Sequence, residues 1–269
     1  MERFLYRLST SPHADKFVLK GALMLRVWEA PAARPTRDID LLGRMDNSPE
    51  NLARVVAEVC EAEVEPDGLV FKVSTVKAIR IKEDADYAGV RVRFEGLLGK
   101  AKIPMQIDVG FGDVVVPAAK TVGYPTLLEF PAPRMKGYPR ETVVAEKFEA
   151  MVKLGTLNSR MKDFFDIWLM ARQFDFDGAL LGRAVTSTFR NRKTAIDPRP
   201  VALTPAFTES STTEAQWRAF LRRGKFAHVP ERLADVAAAL AEFLLPVAAG
   251  AIAGSFEQEW RAPGPWSRH

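Results

Sequence analysis

The segment VRVRFEG, residues 90–96, alternates without exception: Val90, Val92 and Phe94 fall on one side, Arg91, Arg93 and Glu95 on the other. A period of two predicts a strand with one face packed and one face charged. The runs LVFKVSTVKAIRI, IPMQIDVGF and PTLLEF share this extended texture between residue 69 and about residue 130, separated by Gly, Pro or Asp. After PRMKGYPR the period changes to that of a helix and stays there, through ETVVAEKFEAMVKLG, SRMKDFFDIWLMARQF, DGALLGRAVTSTFRNRK, TEAQWRAFLRRG and ERLADVAAALAEFLL. The predicted class is α+β, a mixed-sheet domain over residues 1–130 and a helical domain over residues 131–269. No flexible linker separates them, so a shared interface is expected.

Ahead of the strands, HADKFVLKGALMLRVWEA spaces its apolar residues as a helix does, with Gly21 in the middle, and predicts a short helix or turn before that glycine. SPENLARVVAEVCEAE opens on Ser48 and Pro49, an N-cap and first-turn pair, and predicts a helix. Composition removes several alternatives. A 47% apolar and 27% charged chain of 269 residues is not disordered. One cysteine, Cys60, precludes an internal disulfide, and three histidines leave too few ligands for a Cys/His zinc site. The start MERFLYRLST lacks a secretion signal, and LADVAAALAEFLLPVAAGAIA is interrupted by Asp235, Glu242 and Pro246. That stretch predicts a packed helix and then a break, with no membrane partner and a cytoplasmic location. The net charge of +4 and pI near 9.2 admit an anionic partner such as RNA.

Chemistry concentrates in five places. In RPTRDIDLLG, Asp38 and Asp40 would lie side by side on a strand while Ile39 and Leu41 face the core. Two such carboxylates repel unless a cation sits between them, and Mg²⁺ is commonly held in this way with substrate phosphates; a polar strand end near solvent is the plainer alternative. Asp108 interrupts the apolar run IPMQIDVGFGD and could complete a three-carboxylate site or cap a glycine turn, whereas Asp113 reads as a turn residue. In FVLKGALML, the Lys20-Gly21-Ala22 turn would let backbone N–H groups approach a phosphate. Lys147 borders the apolar stripe of VVAEKFEAMVK, placed to reach a triphosphate or to stay solvated. Asp163 and Asp166 share a helix face in RMKDFFDIWLM among Phe164, Phe165, Ile167 and Trp168, as a site or as an ion-pair network with Lys147, Arg160 or Lys162. Two basic clusters, FRNRK (Arg190, Arg192, Lys193) and LRRGK (Arg222, Arg223, Lys225), could hold an RNA backbone or simply end helices.

In this order the pieces resemble the AbiEii/AbiGii-type nucleotidyltransferase toxins, a family that includes the MenT toxins. The resemblance runs from about residue 15 to residue 172 and rests on VLKGA with RPTRDIDLL, and on VAEKFEAM with RMKDFFDIW. It implies a DNA polymerase β-like nucleotidyltransferase core, a mixed sheet with flanking helices, followed by a helical C-terminal domain that contributes Lys147 and Asp163 to a shared cleft. It further implies a toxin of a toxin–antitoxin pair that transfers nucleotides from NTP to RNA, at the tRNA 3′ end in some members. The catalytic residues would be Asp38, Asp40, Lys147 and Asp163; Asp38, Asp40 and Asp108 would hold Mg²⁺; Lys20, Gly21, Ala22, Lys147 and Asp166 would bind the nucleotide. The partners implied are NTP, tRNA or another RNA, and a cognate antitoxin. Alternatives are a non-catalytic NTP- or RNA-binding member, or transfer to a protein or small-molecule hydroxyl. One departure stands out: Ala22 and Leu23 follow the Lys-Gly pair where the family commonly has glycine and a hydroxyl residue.

Overall fold

The computed structural model describes residues 1–30, 34–84, 87–224, 226 and 228–268. The chain forms two compact units, the first made of Met1–Glu29, Pro35–Asp113 and Ala119–Tyr138, the second of Ala30–Arg34, Val114–Ala118 and Pro139–His269.

The first unit comprises α1 (Glu2–Thr10), β1 (Phe17–Lys20), α2 (Leu23–Val27), β2 (Asp38–Gly43), α3 (Pro49–Cys60), β3 (Leu69–Asp84), β4 (Tyr87–Leu98), β5 (Ala101–Phe111), β6 (Lys120–Gly123) and β7 (Arg134–Gly137). Its strands make one seven-stranded sheet in the order β3-β4-β5-β2-β1-β7-β6. β2 runs parallel to β5 and antiparallel to β1, while β3, β4 and β5 form an antiparallel meander. Alternation decides the faces: Ile39, Leu41, Val92, Phe94, Ile107 and Val109 are buried, and α3 offers Leu52, Val55, Val56 and Val59 to the same core. The helix α3 begins where its sequence predicts, with the Ser48 hydroxyl accepting from the Asn51 N–H and Pro49 in the first turn.

Two expectations need correction. Residues 17–20 form a strand buried at every position, and the helix comes after the glycine, not before it. A strand covered on both faces has no alternation to betray it. PTLLEF forms bends, and the outer strands lie on either side of it, at Lys120–Gly123 and Arg134–Gly137.

The helix α1 is fixed by a buried ion cluster. Arg7 donates to both oxygens of Asp67 at 2.7 and 3.0 Å, and Arg3 Nε donates at 2.8 Å. Burial pushes the Asp67 carboxyl up, but these bonds and the Leu69 N–H outweigh it and hold the group well below the usual carboxylate range. A depressed carboxyl stabilises the fold above its unfolded pKa and loses that contribution as pH falls below it. Wild-type stability should therefore drop below about pH 4, and Asp67→Asn should cost about 3 kcal/mol at neutral pH and flatten that drop. Urea unfolding across the acid range checks both; an Asp67→Asn protein as stable as wild type would remove the cluster from the account.

The second unit comprises α4 (Arg140–Leu154), α5 (Met161–Gln173), β8 (Phe176–Asp177), α6 (Gly178–Asn191), α7 (Pro205–Thr208), α8 (Ser211–Gly224), α9 (Leu233–Ala253), β9 (Glu259–Trp260) and β10 (Trp266–Ser267). Thr142 of α4 fastens the 114–118 segment, its hydroxyl accepting from the Val116 N–H and donating to the Val116 carbonyl. Contrary to expectation, α9 does not break at Pro246. It continues to Ala253, with Val247, Ala248 and Gly250 buried beyond the proline, so packing offsets the lost backbone bond. Among the described residues α9 alone is long and apolar enough to cross a membrane, yet Leu233, Val236, Leu240, Phe243 and Leu244 are fully buried within this unit.

Candidate functional site

The acids of RPTRDIDLLG sit on β2 as their spacing requires, half-exposed on one side of the strand with Ile39 and Leu41 buried on the other. Cross-strand register then aligns a row of charge. Lys20 is opposite Asp40, Asp40 opposite Asp108, and Asp108 opposite Arg91. A second row places Asp38 beside Gln106 and Gln106 beside Arg93.

Gly21 makes this arrangement fit. Its φ is +70°, and a Cβ built there would meet Asp40 Oδ2 at 2.1 Å. The Lys-Gly turn and the acid pair, far apart in sequence, are thus pressed together by the β1–β2 pairing. Ala22 and Leu23, the departure from the family pattern, are both buried. Lys20 donates to Asp113 at 3.0 Å with both side chains nearly buried. Asp113 therefore does more than close a turn, since it neutralises the lysine of that turn.

Asp108 lies beside Asp40 but is engaged by Arg91, whose Nε and Nη2 reach its two oxygens at 2.8 and 2.7 Å. Among the described residues no group of three or more His, Cys, Asp or Glu side chains is placed to hold a metal ion. The donor chemistry of Asp38 and Asp40 nonetheless fits Mg²⁺, a hard cation that takes one or two carboxylates and completes its shell with water and substrate phosphate.

In the second unit, five charged residues interlock. Lys147 of α4 contacts Asp163 Oδ1 at 2.5 Å and Asp166 Oδ2 at 2.9 Å, both acids being 1% exposed on α5. Arg34 forms a fork on Asp166 at 2.8 and 3.0 Å, and Arg160 donates to Asp163 Oδ2 at 2.6 Å. Both acids therefore pair with the lysine. Burial would lower the Lys147 pKa, yet the two aspartates outweigh it and hold the group above the ordinary lysine range. Burial would likewise raise Asp163, but Lys147 and Arg160 bring it down to about 2. Lys147 and Asp163 are therefore both charged across the working pH range. Sequence reasoning missed Arg34, whose only signal was a cation just ahead of the acid pair.

The basic clusters divide. Arg192 is committed to Glu149 at 2.9 Å and Glu146 at 3.6 Å, whereas Arg190, Lys193, Arg222 and Arg223 are exposed. Lys225 lies outside the described residues.

A family model described as nucleotidyl transferase AbiEii toxin, type IV toxin–antitoxin system, matches residues 3–242. Among solved structures, JHP933 from Helicobacter pylori superposes with a TM-score of 0.51 at 14% identity, covering 94% of this chain and 90% of that one. A second H. pylori structure, described as a candidate nucleotidyltransferase, gives 0.51 at 15% identity and covers 95% and 94%. At those identities the likeness is one of fold. No curated protein matches the sequence.

Proposed function

The chain belongs to the AbiEii family of nucleotidyltransferase toxins of type IV toxin–antitoxin systems, and from that premise we propose magnesium-dependent transfer of nucleotides from an NTP to the 3′ end of RNA, with tRNA as acceptor. The observation that carries this reading is the Asp38–Asp40 pair on the charged side of β2, with Gly21 packed against Asp40. Asp38 and Asp40 would hold Mg²⁺, with Asp108 as their neighbour across the sheet. Bound there with the phosphates, the ion would neutralise charge at the reacting phosphorus and on pyrophosphate.

The acceptor 3′-oxygen bonds to the α-phosphorus as the bond to the pyrophosphate oxygen breaks, and the hydroxyl proton leaves to a carboxylate of β2 or to solvent. The Lys20-Gly21-Ala22 turn brings backbone N–H groups to the phosphates. Lys147, held by Asp163 and Asp166, faces the triphosphate with Arg34 and Arg160, three cations against two acids before Lys162 is counted. In the chain, three residues, Pro35, Thr36 and Arg37, lie between Arg34 and Asp38. Such fixed charges stabilise a transition state without reorganising as the reaction proceeds. The setting would be the cytoplasm, with a cognate antitoxin as partner.

The test is incubation of the purified protein with total tRNA, Mg²⁺ and each labelled NTP, beside Asp40→Ala. RNA lengthened by wild type, with the rate down about 1,000-fold or more in the variant, is the expected result. Label appearing on protein or a small molecule, or on RNA equally with Asp40→Ala, would overturn the reading.

A further inference from the structure

The charged side of the first unit's sheet does not end at the acid pair. From Asp38 a groove of about 680 Å³ runs across β5 and β4 to the edge strand β3, lined by Arg37, Lys77, Arg91, Arg93 and Gln106. Register explains the line: Asp38, Gln106, Arg93 and Lys77 are successive partners across four neighbouring strands, so their side chains leave the sheet on one side. Between Lys72 and Lys77 the β3–β4 pairing slips by a bulge, which sets Ser74 and Thr75 at the groove margin. Bulges at sheet edges bend the strand and re-aim side chains in this way.

Arg91 is occupied by Asp108, but Arg37, Lys77 and Arg93 are exposed and make no ion pair among the described residues. Four cations, Arg37, Lys77, Arg91 and Arg93, line the groove against two acids, Glu95 and, at its inner end, Asp38, and that excess of positive charge suits an anion. The groove's size suits a drug-sized ligand, hence the last one or two nucleotides of a strand and not a duplex. Exposed Ile79 and the Arg93–Gln106 pair offer apolar and planar surfaces to a base. Its inner end is Asp38 itself, so a chain lying in it delivers its terminus to the acid pair.

We infer that this groove is the track of the acceptor, a single-stranded RNA 3′ end whose phosphates are held by Arg37, Lys77 and Arg93. The inference rests on the proposed transfer to RNA. It also moves the principal RNA contact away from the helical FRNRK and LRRGK segments.

The test uses the full-length double variant Lys77→Glu/Arg93→Glu, both positions being exposed, with Lys77→Ala/Arg93→Ala as a milder pair and thermal melting to confirm folding. Three quantities are read: affinity for a short fluorescent RNA with a free 3′-hydroxyl at several salt concentrations, affinity for NTP alone, and KM for RNA in transfer. The reversal should raise KM for RNA about tenfold or more, and the alanine pair should lower the salt slope of RNA binding by about two, with NTP affinity unchanged. Wild type lengthening RNA while both variants match it would overturn the groove alone. Wild type transferring nothing to RNA would overturn the reading beneath it as well. Variants that keep RNA transfer but lose the antitoxin would also overturn the proposal, since the surface would then be a protein's.

Discussion

Gly21→Ala is expected to abolish transfer while leaving a folded protein. A left-handed φ of +70° costs a non-glycine residue about 1–2 kcal/mol, which the fold can absorb. The second effect is local and larger. A methyl group 2.1 Å from Asp40 Oδ2 cannot coexist with the carboxylate where it stands, so the acid or the turn must shift by about an ångström or more. Displacements of that size at reacting groups cost about 100-fold, and kcat/KM should fall by at least that much. Gly99→Ala supplies the control. Gly99 also has a positive φ, +58°, but a Cβ there would meet nothing within 4 Å. It should lose the same stability and keep its activity. If the two alanine variants are equally active, Gly21 is an ordinary turn residue and the Asp40 assignment loses its support.

That contrast indicates what was legible in the letters. The period of two in residues 90–96 and the i, i+2 spacing of Asp38 and Asp40 are local rules, and the sheet obeys both. The acids of α5 were legible as unusual because aromatic residues surround them in sequence. What sequence could not give was the partner of each charge. Asp166 is answered by Arg34, 132 positions away, and Lys20 by Asp113, 93 positions away. Arg91 and Asp108 meet only because β4 pairs with β5 in one register. Residues 17–20 misled for a related reason: burial on both faces erases the alternation that marks a strand, leaving spacing that a helix would also show.

Lys147→Met separates support of the fold from chemistry. Removing the ammonium leaves Asp163 and Asp166, each 1% exposed, to Arg160 and Arg34 alone. Stripping one partner from a buried ion cluster costs about 3–5 kcal/mol, so the single variant should be much less stable and inactive. Adding Asp163→Asn removes the orphaned charge, and the double variant should recover most of the stability without recovering transfer. The pH dependence carries the sign of each shift. Asp163, brought down to about 2, contributes stability above its unfolded value and loses it as pH falls through about 2. Lys147, raised, contributes below its unfolded value and loses that contribution only as pH rises through its elevated pKa. Between the unfolded values of an aspartate, about 4, and a lysine, about 10, wild-type stability should show no step from Asp163 or Lys147, whereas in Lys147→Met the acid loss should begin at higher pH, because Asp163 takes up its proton more readily. Denaturant melts over pH and transfer assays on the same preparations check both. A double variant that regained activity with its stability would mean that the lysine only holds two acids together, and that the cation facing the triphosphate is Arg34 or Arg160.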